Sequence, residues 1–267
     1  MDQFNIFLPI LVGLLFGSFL NVCIYRLPRR LSVVSPMRSY CPNCNRTLGS
    51  LENIPVLSWL LLRGKCKGCG QKISAQYPLV EILAAIATAG VYLRYGLNPT
   101  SVVLWVLVLA LIVVTFIDLE FKIIPHRITY PGMTIGFLLG IASQYTELFR
   151  CSPYQEICPI TQHATDSLIG FLLGAGFFEV MARAYYFFTK RDGLGGGDVR
   201  LLGMTGAVMG WHSVPPTIFV GSFLGAFIGI LAMVFTGRGR HTEIPFGPWL
   251  AAGALLYLFA DLPFFRV

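Results

Sequence analysis

"TSVVLWVLVLALIVVTFID", residues 100 to 118, carries no charge until Asp118 closes it. A helix from residue 100 to 117 rises about 27 Å, close to the roughly 30 Å of a bilayer's hydrocarbon core, so this stretch is expected to cross a membrane with a carboxylate at its end. The rest of the chain agrees. Of 267 residues, 55% are hydrophobic and 12% charged, with a mean hydropathy of +0.68. Spans are predicted at 4–25, 78–95, 100–117, 131–149, 166–188, 199–211, 214–236 and 247–262. The fold class is therefore an all-α polytopic membrane protein of about eight transmembrane helices. A first helix (1–25) and a seven-helix membrane domain (78–267) flank a polar segment at 26–77.

Basic residues orient these spans. Arg26, Arg29, Arg30, Arg38, Arg46, Arg63, Lys65, Lys67 and Lys72 all lie between the first two, which assigns that loop to the cytoplasm. Counting onward, all of the 20 Lys and Arg except Arg94, Arg150 and Arg266 fall inside or at inner helix ends, with both chain termini outside. The net charge of +7 then reports topology and contact with anionic lipid, not nucleic-acid binding. The start, "MDQFNIFLPILVGLLFGSFLNVCIYRLPRR", has no basic leading region or small-residue cleavage site, so it reads as a retained span.

The cytoplasmic loop holds Cys41, Cys44, Cys66 and Cys69 as two C-x2-C pairs separated by 21 residues. Four thiolates complete the closed tetrahedral shell of structural zinc; the alternatives are four free thiols or two disulfides, and a reducing compartment disfavours the disulfides. Cys151 and Cys158 fall in an outside loop, where a disulfide and two free thiols both remain open. Cys23, inside the first span, reads as a packing residue. Gly221, Gly225 and Gly229, and Gly170 with Gly174, repeat at four-residue spacing. Such stripes serve close packing inside a bundle or between two copies.

Charges at the membrane carry the chemistry, because they are costly there. Asp118 ends the third span and Asp198, in "GLGGGDVRLLG" (193–203), begins the sixth; the topology delivers both to the same inner face. Two approaching carboxylates share a proton, giving one acid and one base able to activate water against an amide. Gly195, Gly196 and Gly197 would let an extended substrate lie beside Asp198. The plainer alternative is a glycine turn with Asp198 capping the sixth helix. Asn21, Arg26, Glu81 and Glu243 also lie toward the inner face, as caps, snorkelling groups or paired charges. Glu179, within the fifth span, has Arg183 four residues on as its expected partner.

These residues resemble the type IV prepilin peptidases, bifunctional leader peptidases and N-methyltransferases of pilus and type II secretion systems. The similarity covers nearly the whole chain and is carried, in order, by "GSFLNVCIYRLP" (17–28), the cysteine segment with "ENIPVLSWL" (52–60), "YPLVE" (77–81), "FIDLEFKIIPHRITYP" (116–131), "GLGGGDVRLLG" and "EIPFGPWLA" (243–251). The resemblance implies a GxGD intramembrane aspartyl protease with Asp118 and Asp198 catalytic, Gly195, Gly197, Pro125 and Arg200 supporting the site, and the four cysteines holding Zn2+. It implies cleavage of a short basic leader from prepilins and pseudopilins after a glycine, on the cytoplasmic side of a bacterial inner membrane. Methylation of the new N-terminus with S-adenosylmethionine would follow, with contacts to the pilus or secretion machinery as further partners. Two positions depart from the family pattern: Arg200 stands where lysine is usual, and His126 follows Pro125 where Asp or Asn is commoner.

No G-x-G-x-x-G follows a predicted strand, so no soluble nucleotide-binding domain announces the methyl donor. Both C-x2-C pairs are complete, as in the bifunctional members of the resembled family. A peptidase lacking methyl transfer, a proton-coupled transporter using the paired carboxylates and a zinc-stapled scaffold are the other readings.

Overall fold

In the computed structural model, residues 6–36, 38–146, 149, 159–190, 195–236 and 245–260 are described. Ten α-helices run through them: α1 (Phe7–Arg26), α2 (Leu57–Leu61), α3 (Gln76–Tyr95), α4 (Pro99–Phe121), α5 (His126–Tyr145), α6 (Ala164–Phe171), α7 (Phe178–Thr189), α8 (Gly196–Met209), α9 (Val214–Thr236) and α10 (Gly247–Phe259). A π-helical segment, Leu172–Phe177, joins α6 to α7. Among the described residues extended pairing is confined to two isolated bridges, Tyr40 with Thr47 and Lys65 with Lys72.

The chain is thus all-helical and built for a membrane. Five stretches are long and apolar enough to cross one: Phe7–Arg26, Gln76–Tyr95, Pro99–Phe121, Ala164–Thr189 and Trp211–Phe235. The other three expected spans differ in character. Helix α5 runs 20 residues but contains Pro131 and several polar groups, while α8 and α10 have 14 and 13 residues. Fourteen residues rise only about 21 Å, short of a full bilayer core. Phe219, Phe223 and Phe235 point outward from α9, the exposure expected of a lipid-facing surface.

Helix α4 is the hub. Asn98 opens it with a capping box, its Oδ1 accepting from Ser101 N–H at 2.8 Å while Ser101 Oγ accepts from Asn98 N–H at 3.0 Å, and Pro99 follows at the first helical position. Its far end is set by Lys122, which turns left-handed at φ 54°. The chain then runs extended into Pro125, the N-cap residue of α5. Leu104, Val108, Leu111, Val114 and Ile117 are buried along α4.

Small residues bring the neighbours in. Gly170 and Gly174 meet the backbone of α8, and Gly221 and Gly225 meet α10, so these stripes pack helices within the chain. Helix α8 is enclosed: Val199 and every residue from Leu201 to Met209 are buried. Cys23 packs against the core, and Glu179 pairs with Arg183 at 2.8 Å.

Candidate active site and metal centre

Asp118 sits one turn before the end of α4 and is 5% exposed. Its Oδ2 accepts a hydrogen bond from the backbone N–H of Gly247, the first residue of α10, at 3.0 Å. A carboxylate in the first turn of a helix also meets the favourable end of its dipole, and here two different helix N-termini face two carboxylates. The second is Asp198, half-buried in the first turn of α8. The N-cap of α8 is Gly195, with Asp198 N–H donating to Gly195 O at 3.0 Å. Asp198 is therefore not the N-cap residue of this helix but stands in its first turn.

The two carboxylates interact electrostatically. Between the starts of α8 and α10 lies Ile124, 8% exposed, on the short link after α4. A Cβ built on Gly197 would lie 3.0 Å from Ile124 Cβ, and one built on Gly247 would lie 3.1 Å from Ile124 Cδ1 and 2.7 Å from Asp118 Oδ2. A Cβ on Gly195 would come within 3.0 Å of Asp198 Oδ2. The glycines thus leave room for the carboxylates and for one isoleucine between the starts of α8 and α10. Pro125 directs this link by capping α5 in an extended conformation (ψ 121°). Arg200 donates from Nε to Gly196 O at 2.7 Å, and its guanidinium lies 6.0 Å from the Tyr130 ring centre. The structure assembles Asp118, Asp198, Gly195, Gly197, Pro125 and Arg200 around one locus. Gly247 and Ile124 join it without having been singled out in the sequence. The motif "EIPFGPWLA" contained Gly247, but nothing in it announced a donor for Asp118.

The four cysteines also converge. Each C-x2-C pair folds the same way: Cys41 N–H donates to Arg46 O at 2.9 Å and Cys66 N–H to Gln71 O at 2.8 Å, while Asn45 and Gly70 turn at φ 54° and 69°. The two loops are structural copies. All four Sγ atoms lie within 4.8 Å of one another, and Cys41 Sγ and Cys69 Sγ are 3.9 Å apart. Four sulfurs at about 2.3 Å from a tetrahedral zinc would stand about 3.8 Å apart, so the donor set fits. Backbone N–H groups of Cys69 and Gly68 pull the Cys66 thiol down to about 6, and Gln71 N–H lowers Cys69. Cys44 receives the N–H of Arg46 but is driven up to about 11 by desolvation and the crowding sulfurs. Four thiols this close cannot all ionise without a cation among them. Beside them Arg46 Nη2 holds Glu52 Oε1 at 2.8 Å, which keeps the Glu52 carboxyl below its ordinary range.

Residues 11–95 match the bacterial peptidase A24 N-terminal domain, and residues 105–230 match the type IV leader peptidase family. A protein of Aeromonas hydrophila named prepilin leader peptidase/N-methyltransferase is 34% identical over 95% of this chain and 90% of its own length. The chain belongs to the type IV leader peptidase family. Relatives of the same name from Myxococcus xanthus (39% identical over 90% of this chain and 67% of the relative) and Pseudomonas putida (32%, over 95% and 90%) agree. No solved structure matches. Within this family's span, 105–230, lie both carboxylates, Pro125 and the glycine segment; Gly247 lies beyond it. The cysteine loops lie in the other match. Cys151, Cys158 and Glu243 lie outside the described residues.

Proposed function

We propose that this chain cleaves the short basic leader from type IV prepilins and pseudopilins, after a glycine, and then methylates the new N-terminus with S-adenosylmethionine as methyl donor. The observation that carries the reading is the convergence of Asp118 and Asp198 from α4 and α8, in a chain this similar to prepilin leader peptidase/N-methyltransferases. One of the pair, ionised, takes a proton from water as its oxygen attacks the scissile carbonyl. The other, protonated, gives its proton to the amide nitrogen as the carbon–nitrogen bond breaks. Gly247 N–H fixes the rotamer of Asp118 throughout, and the side-chain-free edge at Gly195–Gly197 admits an unwound substrate strand beside Asp198. Arg200 holds that edge through Gly196 O.

In this reading residues 1–25 form the first span, 26–77 a cytoplasmic zinc domain and 78–267 a seven-helix catalytic domain. The membrane is the bacterial inner membrane, crossed about eight times, with both termini periplasmic and the active site facing the cytoplasm. The charge distribution of the loops supports this orientation. Cys41, Cys44, Cys66 and Cys69 would hold one structural Zn2+. Contacts with the pilus or secretion machinery are part of the same proposal.

Purified protein in lipid vesicles, given a synthetic prepilin, tests the reading by mass spectrometry. The expected product is shortened by its leader and, with S-adenosylmethionine present, heavier by one methyl. An uncut prepilin rejects the peptidase, and a cut but unmethylated one leaves a peptidase alone.

A further inference from the structure

Between the inner half of α1, the start of α3 and the cysteine domain lies a cavity of about 330 Å³, within the size range of small-ligand sites. Asn21, Tyr25, Arg26, Trp59, Tyr77 and Glu81 contribute to its walls. Two of these are charged and buried, Arg26 at 5% exposure and Glu81 at 7%. They do not pair. Arg26 Nη1 donates to the carbonyls of Ser32 and Val33 at 3.1 and 3.2 Å, and Glu81 Oε2 accepts from Val56 N–H at 2.7 Å. Among the described residues neither has an ion-pair partner.

A buried charge without its counter-ion is expensive, and here a cation and an anion, each held only by neutral hydrogen-bonding groups, face one space. The ligand that satisfies both is a zwitterion. Around them Tyr25, Trp59 and Tyr77 offer aromatic faces, which suit a planar base and attract a compact cation. Polyphosphate is a poor match, since the wall adds one more of each sign, Lys72 and Glu52, and no surplus of positive charge. The backbone bonded to Glu81, behind the cavity wall, is also held against its preference. Val56, a β-branched residue, stands at φ 60°, ψ −51°, and the bond from its N–H to Glu81 secures it.

Resting on the methyl-transfer reading above, we propose that this cavity is the S-adenosylmethionine site. Arg26 receives the donor's carboxylate, Glu81 its positive charge and the aromatic walls its adenine. The carboxylate of Glu81 does two things there, holding Val56 and answering a cation, and a glutamine would keep only the first.

The test is equilibrium binding of radiolabelled S-adenosylmethionine to the full chain in lipid nanodiscs, followed by ultraviolet cross-linking and peptide mapping. Label is expected in 18–26 and 39–81. Glu81→Gln, with its zinc content and melting temperature checked against wild type, is expected to bind at least tenfold more weakly. Binding by wild type with label confined to other segments overturns the cavity assignment while leaving methyl transfer standing, and so does unchanged affinity in folded Glu81→Gln. A wild-type protein that cuts prepilin but binds no S-adenosylmethionine overturns the methyl-transfer reading and this site with it.

Discussion

Gly247→Ala asks whether the position of Asp118 sets the rate of cleavage. The backbone N–H that donates to Asp118 Oδ2 survives the substitution, so the variant keeps the donor and crowds the oxygen that accepts from it. The new Cβ would stand 2.7 Å from Asp118 Oδ2, where ordinary contact begins at 3.4 Å, so the carboxylate must retreat by about 0.7 Å. Ile124 Cδ1, 3.1 Å away, blocks relief on its side. Misplacement of a reacting group by about 1 Å costs roughly 100-fold in rate, so kcat is expected to fall about 10- to 100-fold, or about 1.4–2.7 kcal/mol in the barrier. KM should hold, because no leader contact is altered. Cleavage of a synthetic prepilin is followed by chromatography in vesicles, with Gly176→Ala as control, since a Cβ there meets only Leu172 at 3.7 Å or beyond. A Gly247→Ala enzyme with kcat within twofold of wild type would refute the idea that Gly247 positions Asp118.

Asp118→Asn and Asp198→Asn keep shape but remove a titratable carboxyl, so each should abolish cleavage while the protein still inserts; near-normal cutting by Asp198→Asn, read by product mass, defeats the dyad. Purified protein should carry about one zinc per chain, and Cys41→Ser with Cys44→Ser should lose it and expose the loop to proteolysis, so undiminished zinc by metal analysis rejects these ligands. Given an already cleaved pilin, folded Asp118→Asn should still add one methyl to the N-terminal residue. Complete loss of that methyl by mass spectrometry means that the two chemistries share a site.

What the sequence disclosed and what it hid have separable causes. Asp118 and Asp198 were legible because charge at a membrane boundary is conspicuous, and the parity of the spans put them on one face. The cysteine centre was legible because two C-x2-C loops need only local turns to form, and both loops close within six residues. Helix boundaries were less so. The expected span at 131–149 begins in fact at His126, since Pro131 marks no helix start and lies inside α5. Apolar periodicity also passed through Leu172–Phe177 without revealing its π geometry. Gly247 and the cavity were illegible for a simpler reason. The first acts on a residue 129 positions away through a backbone group that every residue except proline possesses, and the second is walled by segments that only folding brings together.

Arg29 joins the end of α1, beside the cavity, to the end of α4. Its guanidinium lies 4.1 Å from the Tyr25 ring centre, on the cavity wall, and 4.9 Å from that of Phe121, at the end of α4, with Glu120 at 3.6 Å. Both charged groups are substantially exposed, so the ion pair contributes about 0–1 kcal/mol, and each aromatic contact adds about 0.5–1 kcal/mol. Such energies do not decide a fold held by buried α4, but they tie the end of α1 to the end of α4. Asp118 lies two residues before Glu120, on the helix whose end Arg29 clasps. On the proposed reading, Arg26 and Glu81 serve the methyl donor while Asp118 and Asp198 serve cleavage, so the two reactions can follow each other without sharing a catalytic group.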